Sequence, residues 1–427
     1  MGAVEVVVTG IGLLSALGSL EPSWQHLING KSAIRQHQPF PDLPPRPLAL
    51  IGQSTASLEW LAKQVVADAI QDAGLGMPLP DSGVVIGSSR SFQAVWEQLA
   101  RGLGSGKVGC NHRRESGRVE EWGRSSTHIP ELSHTPSPPL LVSPYPPPLL
   151  NSQPPILENW LDTLPHFAAI SVARQIGSTE LVLAPMAACA TGVWAIAQGF
   201  ELIQTGRCQR VIAGAVEAPI TPLTLIGFDK MGALAKTGAY PFDKRREGLV
   251  LGEGAAVLVL ESADLALSRN APVYGKVLGF GLTNDAYHVS APAPERKSVI
   301  SAVKQCLARS HLSPSDIQYI HAHGTGTQLN DQNEAQLIQS MFTQGVAVSS
   351  TKGATGHTLG ASGALGAAFC LKALKHQLLP PTVGLNEPDF ELDLVQTPRC
   401  ARIRQMLCLS FGFGGQNAVL ALAQAST

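Results

Sequence analysis

A pattern of short apolar strands alternating with helical segments runs through the chain twice, and it constrains the fold more than any other feature. The predicted strands of the first series are flanked by small residues and cover residues 5–9, 83–87, 181–183 and 210–214. Those of the second series cover residues 248–261, 273–281, 317–322, 346–350 and 406–411. This alternation predicts a layered α/β protein made of two similar halves, residues 1–270 and 271–427.

The best evidence for duplication is a pair of strand-turn-helix units. Residues 181–192 and residues 346–357 each lead into a long helical pattern. In each unit a strand enters a glycine-rich turn that opens an alanine-rich helix, where free backbone N–H groups are exposed. One turn presents Cys189 and the other presents His357. Matching turns in two duplicated halves would converge on one site.

The composition excludes several classes of protein. Hydrophobic residues make up 44% of the 427 residues, charged residues 15%, and the net charge is −1, so no strong positive field attracts nucleic acid. The seven cysteines form no CxxC pair and no even set for a disulfide framework. The N-terminal residues predict a strand rather than a signal peptide, and the apolar runs are shorter than the ~18 residues of a membrane span. We expect a cytoplasmic protein without membrane or nucleic-acid partners.

One proline-rich segment interrupts the pattern. Residues 104–155 hold about a third of the 31 prolines and have no periodicity in their first part. Connections between elements usually span about 4–6 residues, so this segment is unusually long. Three interpretations remain open: a surface insertion, a polyproline segment that binds a partner, or an aberrant stretch such as one translated in a shifted frame.

Cys189 is the first candidate for a chemical role. It lies in Ala-Ala-Cys-Ala-Thr-Gly between a strand and a helix, where the helix dipole is expected to lower the pKa of the thiol and to favour thiolate attack. Its small neighbours leave room for a substrate. The alternative is an inert structural cysteine, since free cysteines are among the most buried residues.

Two further strand ends carry candidates. The segment His-Ala-His-Gly-Thr-Gly-Thr begins at His321 and is compatible with a metal half-site or a phosphate loop. Neither interpretation is strong, because no third metal ligand follows at the usual spacing and no lysine ends the glycine loop. His323 is otherwise a candidate hydrogen-bond donor or acid–base group. Lys352 and His357 follow the next strand. Three such strand ends are typical of a site at the carboxyl edge of an α/β sheet.

The last glycine-rich turn packs three glycines and two phenylalanines into residues 409–417. One interpretation is a tight turn in the core. The other is a turn whose backbone N–H groups contact an oxyanion while a phenylalanine closes a pocket.

Taken in order, these motifs resemble those of the β-ketoacyl-acyl carrier protein synthases of the type I/II branch, condensing enzymes of the thiolase superfamily. The resemblance covers the chain apart from the proline-rich segment and its margins. Each matching motif contains or starts at one of the following residues: Val6, Cys189, Gly227, Pro241, Glu247, Asp285, His323, Asp331, Glu334, Lys352 and Phe411. It implies a five-layer α-β-α-β-α fold built from two duplicated α/β halves.

The resemblance also implies a reaction. Cys189 would accept an acyl chain from carrier protein, with the thioester oxygen held by the backbone N–H groups of Cys189 and Phe413. His323 and His357 would hydrogen-bond the malonyl thioester oxygen as CO₂ leaves, and the carbanion would attack the acyl group. The product is a 3-oxoacyl-carrier protein, two carbons longer, in fatty-acid elongation. A polyketide or glycolipid ketosynthase and an impaired partner subunit that binds carrier protein remain alternatives.

Further roles follow from the same resemblance. Lys352 would stabilise charge, and Glu334 with Asp331 would tie the His323 loop into a buried polar network. The expected substrate-binding residues, for the phosphopantetheine arm and the acyl pocket, are Thr325, Thr327, Phe228 and Phe413. No metal or permanently bound cofactor is implied, because substrates arrive on the phosphopantetheine of acyl carrier protein. The expected oligomer is a homodimer.

Overall fold

The computed structural model describes residues 4–104 and 157–425. The proline-rich segment lies almost entirely between these two ranges, so its three interpretations remain predictions. Within the two described ranges, no helix is long and apolar enough to cross a membrane.

The elements are numbered in chain order. The strands before residue 270 are β1 (Val6–Ser15), β2 (Gly18–Ser19), β3 (Arg35–His37), β4 (Arg46–Leu48), β5 (Ser82–Gly87), β6 (Val182–Leu183), β7 (Arg210–Glu217) and β8 (Gly254–Ser262). The helices of the same part are α1 (Leu20–Ile28), α2 (Leu58–Asp72), α3 (Gln93–Gly104), α4 (Phe167–Ile176), α5 (Thr191–Gln204), α6 (Pro222–Lys230) and α7 (Ala263–Ser268).

The second part of the chain has the same alternation of strands and helices. Its strands are β9 (Gly275–Asn284), β10 (Tyr319–His321), β11 (Ala347–Ser349), β12 (Leu378–Leu379), β13 (Asp393–Leu394), β14 (Arg399–Cys400), β15 (Gln405–Gly412) and β16 (Gln416–Ala423). Its helices are α8 (Lys297–Arg309), α9 (Gln328–Met341), α10 (Lys352–Thr355) and α11 (Ser362–His376). Short 3₁₀ turns cover Leu157–Thr163, Pro314–Asp316 and Leu359–Ala361.

The two parts repeat one strand order. The first runs β1-β8-β7-β5-β6 across the sheet, and the second runs β9-β16-β15-β10-β11. In both, the first two pairings are antiparallel and the last two are parallel. Val6 of β1 pairs with Val277 of β9 and joins the two half-sheets. The predicted duplication is therefore confirmed, and the boundary at residue 270, between α7 and β9, remains our proposal.

The helices form three layers around the half-sheets. α2 and α4 pack on strands of the first half-sheet, and α8 packs on β9 and β16 of the second. α5 and α11 contact strands of both half-sheets and each other, so they form the middle layer. Nearly all of α11 is buried. The expected five-layer α-β-α-β-α order results, with the largest apolar cluster around the middle layer.

One predicted strand was wrong at its start. The apolar run of residues 248–261 enters the sheet only at Gly254. Gly248 has a φ of 152°, and Leu251 forms an isolated bridge with His357 instead of pairing in the sheet. Residues 248–253 are apolar because they are buried in a loop beneath the His357 turn. In the sequence, burial in such a loop gives the same apolar pattern as burial in a sheet, so the two could not be distinguished.

The two middle-layer helices approach each other through glycines at their N-terminal ends. A Cβ added to Gly192 would lie 2.5 Å from the backbone nitrogen of Ala364, and one added to Gly363 would lie 2.8 Å from a methyl group of Val193. The two helices can lie this close together only because both residues are glycines, which have no Cβ atom. The close approach brings together the turns that precede α5 and α11.

We expect Gly192→Ala to lower the free energy of unfolding by about 1–3 kcal/mol, because overpacking at a helix crossing forces the backbones apart. Gly227→Ala is the matched control, since Gly227 is also helical and an added Cβ there meets no atom within 4 Å; it should be neutral or stabilise by up to about 1 kcal/mol. Equilibrium unfolding in urea measures both. Equal midpoints for the two variants would contradict the close crossing.

Candidate active site

The Cys189 turn connects β6 to α5 through a backbone held in an unusual conformation. Ala188 has a φ of 47°, in the left-handed region, which a residue with a Cβ adopts only under constraint. The Thr191 hydroxyl supplies that constraint: it donates to the Ala188 carbonyl at 2.7 Å and accepts from the Ala187 N–H at 2.9 Å. Ser410 of β15 donates to the Cys189 carbonyl at 2.9 Å. The turn is thus fixed from both halves of the molecule.

The predicted lowering of the Cys189 pKa was wrong. Burial raises the pKa of this thiol to about 11, although the Lys352 and Arg90 charges and the Phe413 N–H act in the opposite direction. Cys189 is only 7% exposed, so its thiolate would lose its hydration, and that loss outweighs its favourable electrostatic contacts. With a pKa of about 11, Cys189 is a neutral thiol near pH 7.

The His323 loop is anchored through its backbone. Glu334 of α9 accepts from the His323 N–H at 2.6 Å and from the Gly324 N–H at 2.7 Å, and Lys352 donates to the His323 carbonyl. Asp331 accepts from the Phe242 N–H at 2.8 Å. Burial raises the pKa of Glu334 to about 7. These side chains hold the loop as the buried network that the resemblance implies.

His357 has a defined proton position. The Leu359 N–H donates to its Nδ1 at 3.1 Å, and the Ser362 hydroxyl lies 2.9 Å from the same atom. A backbone N–H can only donate, so Nδ1 is an acceptor and the proton of the neutral ring is on Nε2. The rings of His323 and His357 face each other edge to face, with centroids 5.3 Å apart.

Both imidazoles are neutral near pH 7. Burial, followed by the positive charge of Lys352, lowers the pKa of His323 and of His357 well below the usual histidine range. Nδ1 of His323 has no hydrogen-bond partner among the described residues. Neutral rings can donate hydrogen bonds to a carbonyl oxygen without acting as strong acids.

A cavity of about 280 Å³ joins these groups. All but three of the predicted catalytic and substrate-binding side chains line this cavity. Those that line it are Cys189, His323, His357, Thr325, Thr327, Phe228 and Phe413. Lys352, Glu334 and Asp331 lie behind the wall and act on the His323 loop. The structure therefore divides the predicted residues into those facing the cavity and those supporting it.

The last glycine-rich turn closes one side of the cavity. A Cβ at Gly412 would lie 3.0 Å from the Cys189 nitrogen, and the Phe413 N–H hydrogen-bonds the Cys189 thiol. The Phe413 ring stacks on Phe228 with centroids 5.8 Å apart and an interplanar angle of 24°. Gly414 and Gly415 follow, both with left-handed φ values near 75°. The turn thus places the Phe413 N–H at the thiol and packs Gly412 against the backbone of Cys189.

Two charged residues at this site were missed from sequence. Arg90 follows β5 and Glu217 ends β7, so both lie at carboxyl ends of parallel strands beside Cys189. Glu217 is buried and accepts from the backbone N–H groups of Ser89 and Arg90, and burial raises its pKa to about 7. The available signal was a charge at the end of a buried apolar strand, or within three residues of it.

The metal interpretation of the His-x-His segment is not supported. Residues 4–104 and 157–425 contain no cluster of three or more His, Cys, Asp or Glu side chains arranged to hold a metal. His321 points elsewhere, with Nε2 3.1 Å from the Thr351 hydroxyl and Nδ1 3.9 Å from the Cys408 sulfur.

The sequence matches two models of one family. The N-terminal domain model of β-ketoacyl synthase matches residues 151–266, and the C-terminal domain model matches residues 274–386. Together these matches cover more than half of the chain. The fold, the paired turns and the matches agree with one another, and the chain belongs to the β-ketoacyl synthase family.

Curated relatives agree with this assignment. The chain is 39% identical over 268 residues to 3-oxoacyl-[acyl-carrier-protein] synthase 2 of Staphylococcus aureus, a match that covers 60% of this chain and 66% of the relative. It is 42% identical over 246 residues to the protein of the same name from Synechocystis sp., covering 55% and 59%. The match thus spans less than two thirds of the length of either relative.

Solved structures extend the similarity over the whole chain. A type II polyketide ketosynthase, solved in complex with its acyl-carrier protein and bound to a hexaketide, superposes with a TM-score of 0.83 at 26% identity and covers 99% of this chain and 100% of its own. A β-ketoacyl synthase from Burkholderia phymatum gives 0.82 at 26% identity, with the same coverage. These neighbours confirm the thiolase-like fold.

We expect the alkylation rate of Cys189 by iodoacetamide to rise about tenfold per pH unit between about pH 7 and about pH 10, because only the thiolate reacts and the pKa of the buried thiol is about 11. Peptide mass spectrometry resolves the rate at this cysteine. In urea-unfolded protein the rate should level off near the ordinary thiol pKa of about 8.5. A plateau below about pH 8 in the folded protein would contradict a neutral resting thiol.

Proposed function

We propose that the protein catalyses a decarboxylative Claisen condensation in fatty-acid elongation. An acyl group on Cys189 would combine with malonyl-acyl carrier protein to give 3-oxoacyl-acyl carrier protein and CO₂. The observation that carries this proposal is a cavity in which one buried thiol lies with two neutral imidazoles. The names of the curated relatives support the choice of reaction.

Acylation is the first half-reaction. The Cys189 sulfur attacks the thioester carbonyl of an acyl-carrier protein, the bond to the phosphopantetheine sulfur breaks, and the proton lost by Cys189 leaves with that thiol. The negative charge on the carbonyl oxygen develops beside the N–H groups of Cys189 and Phe413, which the turn geometry holds in place before reaction. A neutral resting thiol is compatible with this step because proton transfer accompanies attack.

Condensation is the second half-reaction. The bond between the malonyl carboxylate and C2 breaks, CO₂ leaves, and the electron pair passes into an enolate whose thioester oxygen becomes negative. The Nε2–H of His357, fixed by the hydrogen bond to Nδ1, donates to that oxygen together with His323. The C2 carbanion then attacks the acyl carbonyl, and the bond to the Cys189 sulfur breaks. The thiolate then takes a proton from solvent, which restores the neutral thiol.

The remaining residues support these steps. Lys352 stabilises charge and holds the His323 carbonyl, and Glu334 with Asp331 fixes the loop backbone. The two hydroxyls of Thr325 and Thr327, 2.9 Å apart on the cavity wall, bind the phosphopantetheine arm. Phe413 and Phe228 bound the acyl pocket.

The partner is acyl carrier protein, and the enzyme acts as a cytoplasmic homodimer without a permanently bound cofactor. A structural neighbour solved with its acyl-carrier protein supports the partner. That neighbour also favours the second candidate, elongation of a polyketide by the same chemistry, because it holds a hexaketide. An impaired partner subunit is disfavoured, since Cys189, His323 and His357 meet at one cavity.

Cys189→Ser should reduce acyl-enzyme formation by at least about a thousandfold, the scale of removing a catalytic nucleophile, because a hydroxyl is far less nucleophilic than a thiolate. Intact mass after incubation with acyl-carrier protein measures the adduct. Cys400→Ser is the control, since Cys400 is exposed and does not line the cavity. Elongation at an undiminished rate by Cys189→Ser would sink the nucleophile assignment.

His357→Ala should slow malonyl-carrier protein decarboxylation by about 100- to 1,000-fold, the effect of removing one oxyanion donor, while Cys189 still becomes acylated. Release of CO₂ and intact mass measure the two half-reactions separately. The control is His166→Ala, because His166 is exposed at the start of α4. A His357→Ala protein that cannot be acylated would refute this division of roles.

A further inference from the structure

Glu217 is a buried carboxylate whose hydrogen bonds fix a neighbouring turn. It ends β7 and is 0% exposed, a position where a charge is costly unless its oxygens are hydrogen-bonded. The backbone N–H groups of Ser89 and Arg90, which follow β5, donate to this carboxylate. Burial raises the pKa of Glu217 to about 7, and hydrogen bonds from the Ser89 side chain and backbone oppose that shift. Glu217 therefore holds Ser89 in place.

Ser89 connects this turn to the segment that follows His357. The N–H of Gly360 donates to the Ser89 hydroxyl at 3.3 Å. A Cβ added to Gly360 would lie 2.5 Å from a carboxylate oxygen of Glu217 and 3.0 Å from the backbone nitrogen of Ser89. The three residues are therefore in direct contact, although Ser89 and Glu217 come from the first half of the chain and Gly360 comes from the second.

The backbone next to Gly360 is strained. Leu359 has a φ of 41°, in the left-handed region that a residue with a Cβ adopts only when its surroundings impose it. The peptide group before its Cα carries the Leu359 N–H, which donates to Nδ1 of His357. The peptide group after it carries the Gly360 N–H, which donates to Ser89. The bond to Ser89 thus helps to hold Leu359 in the conformation that directs its N–H at His357.

The Leu359 N–H is the contact that defines the proton position on His357. The other neighbour of Nδ1 is the Ser362 hydroxyl, 2.9 Å away, and a hydroxyl can either donate or accept. Without the Leu359 N–H, Nδ1 would be free to carry the proton and to donate to Ser362. Nε2 would then have no proton to donate to the enolate oxygen of the malonyl thioester.

We propose that Ser89 and Glu217 are positioning residues for His357. They act through the backbone of Gly360 and Leu359, and they hold the imidazole in the tautomer that donates from Nε2. This inference rests on the proposed condensing reaction, and neither side chain lines the cavity. The expected donors for acylation are backbone N–H groups, so loss of the contact should slow malonyl decarboxylation and spare acyl-enzyme formation.

Ser89→Ala removes the hydroxyl that accepts from Gly360 and leaves the backbone N–H bond to Glu217 in place. We expect CO₂ release from malonyl-carrier protein to fall by about 5- to 50-fold, the scale of leaving one buried hydrogen-bonding group unpaired. Intact mass should show acylation of Cys189 at the rate of the unmodified protein. Glu217→Gln replaces one acceptor oxygen with an NH₂ group and should also slow CO₂ release. Ser89→Ala tests the inference even if Glu217→Gln does not fold.

Ser88→Ala is the matched control. Ser88 lies in the same turn, where its hydroxyl accepts from the Ser91 N–H at 2.8 Å. This variant removes a buried hydroxyl from the turn and leaves the bond between Ser89 and Gly360 in place, so both half-reactions should match those of the unmodified protein. An equal loss of CO₂ release in Ser88→Ala and Ser89→Ala would overturn the inference, because the turn as a whole would then be responsible.

A double variant separates positioning from a general loss of structure. In a His357→Ala background, Ser89→Ala should lower CO₂ release no further, because the imidazole through which it acts is absent. Effects that multiply in the double variant would mean that Ser89 acts on another group, and they would overturn the inference.

The tautomer is observed directly by NMR in protein labelled with ¹⁵N-histidine, where the His357 signals are those lost in His357→Ala. The unmodified protein should show a protonated Nε2 and an unprotonated Nδ1, and Ser89→Ala should show a mixture of the two tautomers. The same single tautomer in both proteins would overturn the inference and leave the condensing reaction intact. Absence of CO₂ release by the unmodified protein would instead overturn the proposed function and, with it, the role of Ser89 in decarboxylation.

Discussion

The site depends on the contact between α5 and α11 in the middle layer. Each helix begins directly after a turn that carries chemistry, and Gly192 and Gly363 let the helices approach until their backbones touch. Because the two turns come from different halves of a duplicated fold, their separation is set by this crossing. Ser410 reinforces it by tying β15 to the Cys189 carbonyl. The geometry of the reacting groups is thus a property of core packing.

Desolvation sets the protonation states of this site. Burial keeps the Cys189 thiol neutral and both cavity histidines neutral, while Lys352 adds to the effect on each histidine. In the proposed reaction, fixed donors would consequently stabilise the charge, namely backbone N–H groups and one assigned imidazole N–H. Such donors require no reorganisation when negative charge develops on a thioester oxygen.

The sequence predicted those features that are encoded locally. Cys189, His323 and His357 each follow a visible apolar strand, so both the duplicated order and the convergence of the turns could be anticipated. The pKa of Cys189 could not, because it depends on burial by residues distant in sequence. Arg90 and Glu217 were missed for a similar reason: they interact across 127 positions, and neither belongs to a recognisable motif. The apolar run from residue 248 was misassigned because loop burial and sheet burial leave the same pattern.

Phe413 links access to the cavity with the electrostatics of the thiol. Its backbone N–H bonds the Cys189 sulfur and its ring covers Phe228, and the two glycines that follow adopt conformations with little steric restriction. A backbone rotation at these glycines that lifted the ring would also carry the N–H away from the sulfur. If the pocket opens by such a backbone movement, access for an incoming chain and hydrogen-bond donation to the thiol are coupled through one residue.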